Sequence, residues 1–406
     1  MPAKRLIPYP EQRALEDAAY ARGATPTRII PLLLPVWSVE VEATITDGQP
    51  YDLIDRYLER GIAEGGLDNA ADLARFFSLD ETLVDRALRV LVKLGHVTIA
   101  SDGRVTLTDI GHRSVRDRVR YTVERHDRRR LYFDAFASRP LTRPYYDPST
   151  VMLLSLKEAL DQAKRRDGPK FSVLSGERPF RMAALAELAG LAERDRFNLP
   201  ERVDMPVLAG EPETVYLPIF AVRAVEPGGR TRCFAYTRAG DTADDDVTAI
   251  CEGSREVVVV LENEEADARG GRDERKTQEY LRNRGLADLR PIRLDDGTLR
   301  VTFPARCFQA NGARGQVPLS KLGSFVVLGN DFFHVWCADE RVRRDALLKR
   351  VDSYLTARLR AGRDDVAHHA GRIGRQLGLG EISLPELRAL AATSGNQDLV
   401  AHLDRL

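Results

Sequence analysis

The stretch HVTIASDGRVTLTDIG, residues 96–111, constrains the fold more than any other. Val97 and Ile99 on one side, and Val105 and Leu107 on the other, flank Asp102-Gly103. An Asp-Gly pair between alternating apolar residues predicts a tight β-hairpin. The hairpin follows directly on a helical pattern. Leu83, Val84, Ala87, Leu88, Leu91 and Leu94 recur at helical spacing behind a Ser78 or Asp80 cap, and Gly95 ends the run. Two more helices are predicted upstream. One carries Leu53, Ile54, Tyr57, Leu58 and Ile62 and stops at Gly65-Gly66; the other opens on Asn69 and turns Leu73 and Phe76 or Phe77 inward. The predicted order is helix, helix, helix, two-stranded hairpin.

The segment LGHVTIASDGRVTLTDIGHRSV resembles the third helix, wing and following helix of bacterial winged helix-turn-helix regulators. In that family an LT-x-x-G-R-like segment leaves the wing and opens the next helix; here it reads LTDIGHR, residues 107–113. The resemblance covers about residues 51–118. It implies a module that binds double-stranded DNA, its third helix in the major groove and its wing against backbone or minor groove. The candidate contacts are Thr82, Arg86, Arg89 and Lys93 on the third helix and Arg104 at the wing tip. Arg113, Arg116 and Arg120 join them from residues 113–130, where eight arginines face three acids and an arginine-rich helix is expected. Local charge points the other way. Residues 51–100 hold six Lys or Arg against nine Asp or Glu, and Asp80, Glu81 and Asp85 open the third helix where a phosphate would approach. Winged helices also serve as protein-contact modules, so an adaptor that binds no DNA remains the alternative.

Composition narrows the classes further. The 61 Lys plus Arg equal the 61 Asp plus Glu, so any electrostatic argument has to be local. A chain of 406 residues with 43% hydrophobic and 30% charged residues suggests two or three domains with full cores. Cys233, Cys251, Cys307 and Cys337 are scattered without metal or redox spacing, and reduced thiols in or near a core are expected. The run IIPLLLPVW, residues 29–37, holds two prolines and is too short to span a bilayer. No membrane association is expected, and the cytoplasm is the expected compartment. The weight of Arg, Ala, Asp and Gly over Lys and Asn suggests a GC-rich bacterial genome.

The fold class expected is α+β: an N-terminal winged-helix domain, then a larger α+β domain with an antiparallel sheet and a helical C-terminus. The predicted divisions are an N-terminal extension with a strand (1–47), the winged helix and arginine-rich helix (48–130), a connector (131–150), the α+β domain (151–362) and a small helical region (363–406). A fragment beginning near residue 148 is expected to fold alone. Hairpins are predicted at Pro227-Gly228-Gly229, Asp296-Gly297 and Gly329-Asn330, a buried strand in REVVVVLENEEA, and a helix over 340–362. Ser383 and Pro385 open a further helix.

Chemical motifs are sparse. GDTADDD offers Asp241, Asp244, Asp245 and Asp246 but lacks the pattern of an EF-hand, so a solvated loop is expected. NGARGQ, with Arg314, is a weak candidate for an anion loop and lacks the ending of a P-loop. His368 and His369 diverge on a helix, and His334 reads as a core-edge residue. No nucleophile elbow or metalloprotease motif occurs. No catalytic residue and no cofactor is therefore predicted. The expected function is DNA binding, as a transcriptional regulator or a subunit of a DNA-directed complex. The C-terminal domain would sense a ligand, form a homodimer or contact a protein partner.

Overall fold

A short helix, α1 (Glu11–Glu16), leads through a π-type turn into one 25-residue strand, β1 (Thr25–Gln49). In the computed structural model, residues 5–165, 168–200, 203–268, 270–308, 316–358 and 362–406 are described. After β1 the chain forms three helices, α2 (Leu53–Ala63), α3 (Ala70–Phe77) and α4 (Glu81–Lys93). The hairpin β2 (Val97–Ile99) and β3 (Val105–Leu107) follows, then α5 (Asp109–Asp117). The chain returns as β4 (Arg120–Asp134), antiparallel to β1 from Gln49↔Arg120 to Val36↔Asp134. Residues 50–119 are therefore inserted between two neighbouring strands and sit at the end of their sheet.

The insertion folds on local signals. Asp52, Asn69, Asp80 and Thr108 each accept a first-turn N–H at the start of α2, α3, α4 and α5. Ser78 takes the left-handed conformation (φ 53°) that closes α3, which leaves Asp80 to cap α4. Leu58, Leu73, Val84, Leu88, Leu91, Val97 and Val105 form a core of its own. The Val105 N–H donates to the Asp68 carbonyl at 2.6 Å and ties the hairpin to the loop before α3.

The rest of the chain builds around β1. Helix α6 (Leu156–Ala163), strand β5 (Ser172–Val173), helix α7 (Ala183–Ala189) and strand β6 (Val203–Leu208) precede the hairpin β7 (Glu213–Val225) and β8 (Thr231–Tyr236). One edge of β1 takes β7 and then β6; the other takes β5 and then β4. Three helices follow: α8 (Asp245–Gly253), α9 (Arg255–Ala268) and α10 (Arg272–Asn283). A second sheet holds β9 (Ile292–Arg293), β10 (Leu299–Thr302), β11 (Phe325–Leu328) and β12 (Asp331–Trp336), in the order β11-β12-β10-β9. The end is helical: α11 (Glu340–Ala357), α12 (Arg363–Gln376), α13 (Leu384–Thr393) and α14 (Gln397–Leu403). The class is α+β. The three hairpins expected after residue 213 form as predicted, and Ser383 caps α13 through a capping box with Glu386.

Three expectations need correction. The arginine-rich segment is a helix only to Asp117; from Arg120 it is a strand. Arg128 and Arg130, two apart and so on one face of the strand, stand opposite Glu42 and Glu40 and pair with them at 2.9 and 3.5 Å. The expected strand REVVVVLENEEA is helix α9. Its apolar run continues into ENEEADA, and the long element buries Val257 and Leu261 four residues apart. The strand expected around Val39 to Ile45 also begins far earlier, at Thr25. Ile29, Ile30, Leu32, Leu33, Leu34 and Val36 are all buried because β1 is covered on both faces, which erases any alternation.

Two of the three prolines in that strand, Pro31 and Pro35, are accommodated by its changing partners. The carbonyls of Leu33 and Pro35 accept from Leu174 and Ala135, so odd-numbered residues here aim their polar groups at the β5/β4 edge. Pro31 and Pro35 share that parity. β5 pairs only at Leu32 and Leu33 and β4 begins at Val36, so the missing N–H groups fall where no ladder bond is required.

A fragment starting near residue 148 lacks β1, the strand on which the first sheet is built, and the expectation that it folds alone is replaced. Such a fragment should melt without a cooperative transition. A full chain in which an Asn-Gly turn replaces residues 50–119 should keep one, because Gln49 and Arg120 are already paired neighbours. Calorimetry of the two proteins checks this; a cooperative melt of the fragment would refute it.

Candidate nucleic-acid interface

On α4, Thr82, Arg86, Arg89 and Lys93 recur at i, i+4, i+7 and i+11, which puts them on one face of the helix. All four are exposed, and Val84, Leu88 and Leu91 are buried on the opposite face. Leu83, expected inside, is 40% exposed beside this stripe. Arg89 is ion-paired with Asp85 one turn back. Arg86 and Lys93 meet no carboxylate among the described residues. Asp80 is engaged as the cap, bonding the Thr82 N–H at 2.8 Å, and that contact with Thr82 holds its carboxyl below the usual range.

Arg104 stands at the hairpin tip, 3.8 Å from both Asp68 and Asp102 and largely exposed. Arg116 is paired with Asp117 at 2.9 Å. Arg113 lies over the Tyr121 ring, 4.8 Å from its centre. Arg120 is turned inward, 3.5 Å from Asp55 and bonded to Gln49 at 2.7 Å, so it anchors the insertion instead of facing outward. Arg314 lies outside the described residues. The structure thus gathers Thr82, Arg86, Arg89 and Lys93 into one stripe and removes Arg120 from it.

The Gly of LTDIGHR has a steric reason. A β-carbon at Gly111 would stand 2.3 Å from the His96 carbonyl oxygen, because α5 crosses the start of the hairpin at backbone contact. The same carbonyl accepts the Thr108 N–H at 2.9 Å. Gly111→Ala should therefore destabilise the insertion by roughly 1–3 kcal/mol, the usual cost of overpacking. A denaturant melt of the full chain checks this, and an unchanged midpoint would refute the close approach.

One ionic group was not anticipated from sequence. His96 is fully buried, and its ring Nδ1 lies 2.6 Å from a carboxylate oxygen of Glu59, itself buried. Its Nε2 meets the Tyr121 carbonyl on β4. Both partners only accept hydrogen bonds, so both ring nitrogens must carry protons. Burial opposes that charge, but the Glu59 carboxylate and the Tyr121 carbonyl outweigh it and raise the pKa above 6.5. The other Glu59 oxygen accepts from the Tyr51 hydroxyl. The signal in the sequence was the pair Asp55 and Glu59. Like charges four residues apart weaken a helix unless cations face them, and here Arg120 and His96 do.

The linkage follows from a folded pKa raised above the unfolded one. The stabilisation from His96 is complete below about 6.5 and is lost as pH rises through the raised value. The melting temperature of the full chain should fall as pH rises above about 6.5. In His96→Gln the fall should shrink; an equal fall in both proteins would assign it to other groups.

The remaining candidates have structural partners. Asp241, Asp245 and Asp246 pair with Arg13, Arg22 and Arg196, and Asp244 caps α8. Among the described residues no group of His, Cys, Asp and Glu is arranged to hold a metal ion. The four cysteines are free and buried. His334 is buried against the Tyr20 hydroxyl and Arg300, and burial pushes its pKa down to about 4. Among the described residues no helix is long and apolar enough to cross a membrane. Comparison with family models, with curated proteins and with solved structures gives no match for this chain.

Proposed function

We propose that residues 51–118 are a winged helix-turn-helix unit that binds double-stranded DNA. In this reading α4 enters the major groove and the β2–β3 hairpin lies against the backbone. The observation that carries it is the exposed stripe Thr82, Arg86, Arg89 and Lys93 on the face of α4 opposite the buried one. Arg104 extends the stripe as a phosphate contact. The insertion's own core, set at the end of the sheet, supports the reading because it leaves that face uncovered. The role proposed is that of a cytoplasmic bacterial regulator of transcription, or of a subunit in a DNA-directed complex.

A different observation favours the adaptor reading. Leu53 and Phe76 are 65% and 66% exposed, and Tyr57, Phe77 and Phe76 make a chain of ring contacts across α2 and α3. An exposed aromatic cluster of this kind marks protein-contact surfaces.

Binding of the full chain to random duplex DNA, followed by anisotropy over a range of salt, separates the two. Each phosphate contact contributes a slope of about −0.9 in log affinity against log salt. Arg104→Ala and Lys93→Ala should each reduce that slope by about one unit. Arg86→Ala should cost roughly 1–3 kcal/mol at one base position if it reads a guanine. Asp85→Asn should raise non-specific affinity, because it frees Arg89 from its partner. If neither the wild type nor Asp85→Asn binds duplex at low salt, the DNA reading fails and the aromatic cluster becomes the working surface.

A further inference from the structure

Between α1, α11 and α12 lies a cavity of about 780 Å³, within the range of small-molecule sites. Its charge is one-sided. Among the described residues, Lys349, Arg350 and Arg372 line it with one carboxylate, Glu16, which already accepts the Ser324 hydroxyl. None of the three cations pairs with a carboxylate among the described residues. Arg350 donates instead to the carbonyls of Ser320, at 2.6 Å, and Leu322, and at 3.1 Å to the side-chain oxygen of Gln376. These are neutral acceptors, so the cavity keeps an excess of positive charge.

Gln376 gives an independent sign of a missing partner. It is only 4% exposed, and its Oε1 is fixed by the bond from Arg350, which leaves Nε2 as the free end. That nitrogen has no hydrogen-bond partner, although the residue lines the cavity. A buried amide N–H without an acceptor costs about 1–3 kcal/mol. Arg372 has one nitrogen 3.3 Å from His369 Nδ1. A guanidinium can only donate, so that ring is neutral, with its proton on Nε2. Burial first, then Arg372, Arg13, Arg358 and Arg350, push its pKa down to about 4. His369 in turn stacks on Tyr354, ring centres 4.0 Å apart. The other part of the wall is apolar, with Phe308, Val317 and Ile373.

We propose that this cavity binds a small organic dianion, a phosphate monoester with an apolar body. The ester's oxygens would take the donors of Arg372 and Lys349, and its body would lie on the apolar wall. The charge points to the class: among the described lining residues three cations against one carboxylate leave two positive charges, and a phosphate monoester carries about −1.5 to −2 at neutral pH. A monocarboxylate would leave the cavity cationic. The site stands on its own residues and does not depend on DNA binding by the inserted module, so its test contains no DNA.

Titration calorimetry of the full chain with phenyl phosphate at about pH 8, where the ester is a full dianion, tests this. Phthalate and benzenesulfonate serve as the dicarboxylate and monoanion probes. Phenyl phosphate should bind at one site per chain and at least about tenfold more tightly than either probe. Arg372→Gln should weaken it by about tenfold or more, and the more exposed Lys349→Gln by a few-fold, with melting temperatures near wild type. Absence of saturable phenyl phosphate binding overturns the proposal. Equal binding of phthalate overturns the assignment to a phosphate ester. Undiminished binding in a folded Lys349→Gln and a folded Arg372→Gln overturns the site.

Discussion

Burial of β1 on both faces and along both edges is the constraint on which the architecture rests. Its apolar run touches two separate cores, Ile29 and Leu33 on one face, Ile30, Leu32, Leu34 and Val36 on the other. Its partners change along its length, from β7 to β6 on one edge and from β5 to β4 on the other. Buried backbone groups must be paired, so a strand this long needs successive neighbours. The neighbours come from distant parts of the sequence, which binds the N-terminal quarter of the chain to residues beyond 200. Removing β1 would therefore expose two hydrophobic faces at once.

The second sheet shares a core with the first, where Phe325 and Phe332 meet Ile29, Leu33 and Phe220, and buried charge adds to that contact. Asp331, at the start of β12 and almost wholly buried, lies 3.0 Å from Arg272, 2.7 Å from Lys276 and 3.9 Å from Arg28 of β1. Asp273 repeats the pattern with Arg293 at 2.9 Å and Arg28 at 4.0 Å. Such networks are weak evidence of net stability, because desolvation offsets most of the Coulomb gain. They are strict about completeness. Removing Asp331 alone would strand the cations around it, at roughly 3–5 kcal/mol for a broken buried pair. The N-terminal segment adds charge-assisted hydrogen bonds to the turn just before β11: Lys321 donates to Gln12, and Ser324 donates to Glu16.

Local signals in the sequence were legible wherever one face of an element met water. The hairpins at Asp102-Gly103, Asp296-Gly297 and Gly329-Asn330 were readable because turn chemistry is local. The caps at Asn69 and Ser383 were readable for the same reason. Alternation failed for the first half of β1, whose two faces are both buried. The valines of α9 misled because a short apolar run fits a buried strand or a buried helix equally well. The stripe on α4 was legible from spacing, and its partial neutralisation by Asp85 was already visible as local acidity. The role of Arg120 was not, since Asp55 meets it only after the insertion closes on β4. Nor was the cavity: its walls come from residues near 16, 350 and 372, which no spacing rule connects.

The two charged sites differ in how solvent treats them. On the inserted module, Arg86, Arg89 and Lys93 are exposed and share their surface with Asp80, Glu81 and Asp85. Salt screens such charges over about 8 Å at physiological ionic strength, so any contact they make with a polyanion weakens steeply as salt rises. In the cavity, Arg350 is held among protein carbonyls and burial depresses its pKa. Charges in that setting are screened far less. An anion bound there would keep most of its affinity at salt concentrations that release a duplex from the module. The segment that carries Gln12 and Glu16 into the cavity wall also continues directly into β1, which ends at the module. At its base the module is tied to β4, the neighbour of β1, by Asp55 with Arg120 and by His96, which Glu59 holds against the Tyr121 carbonyl.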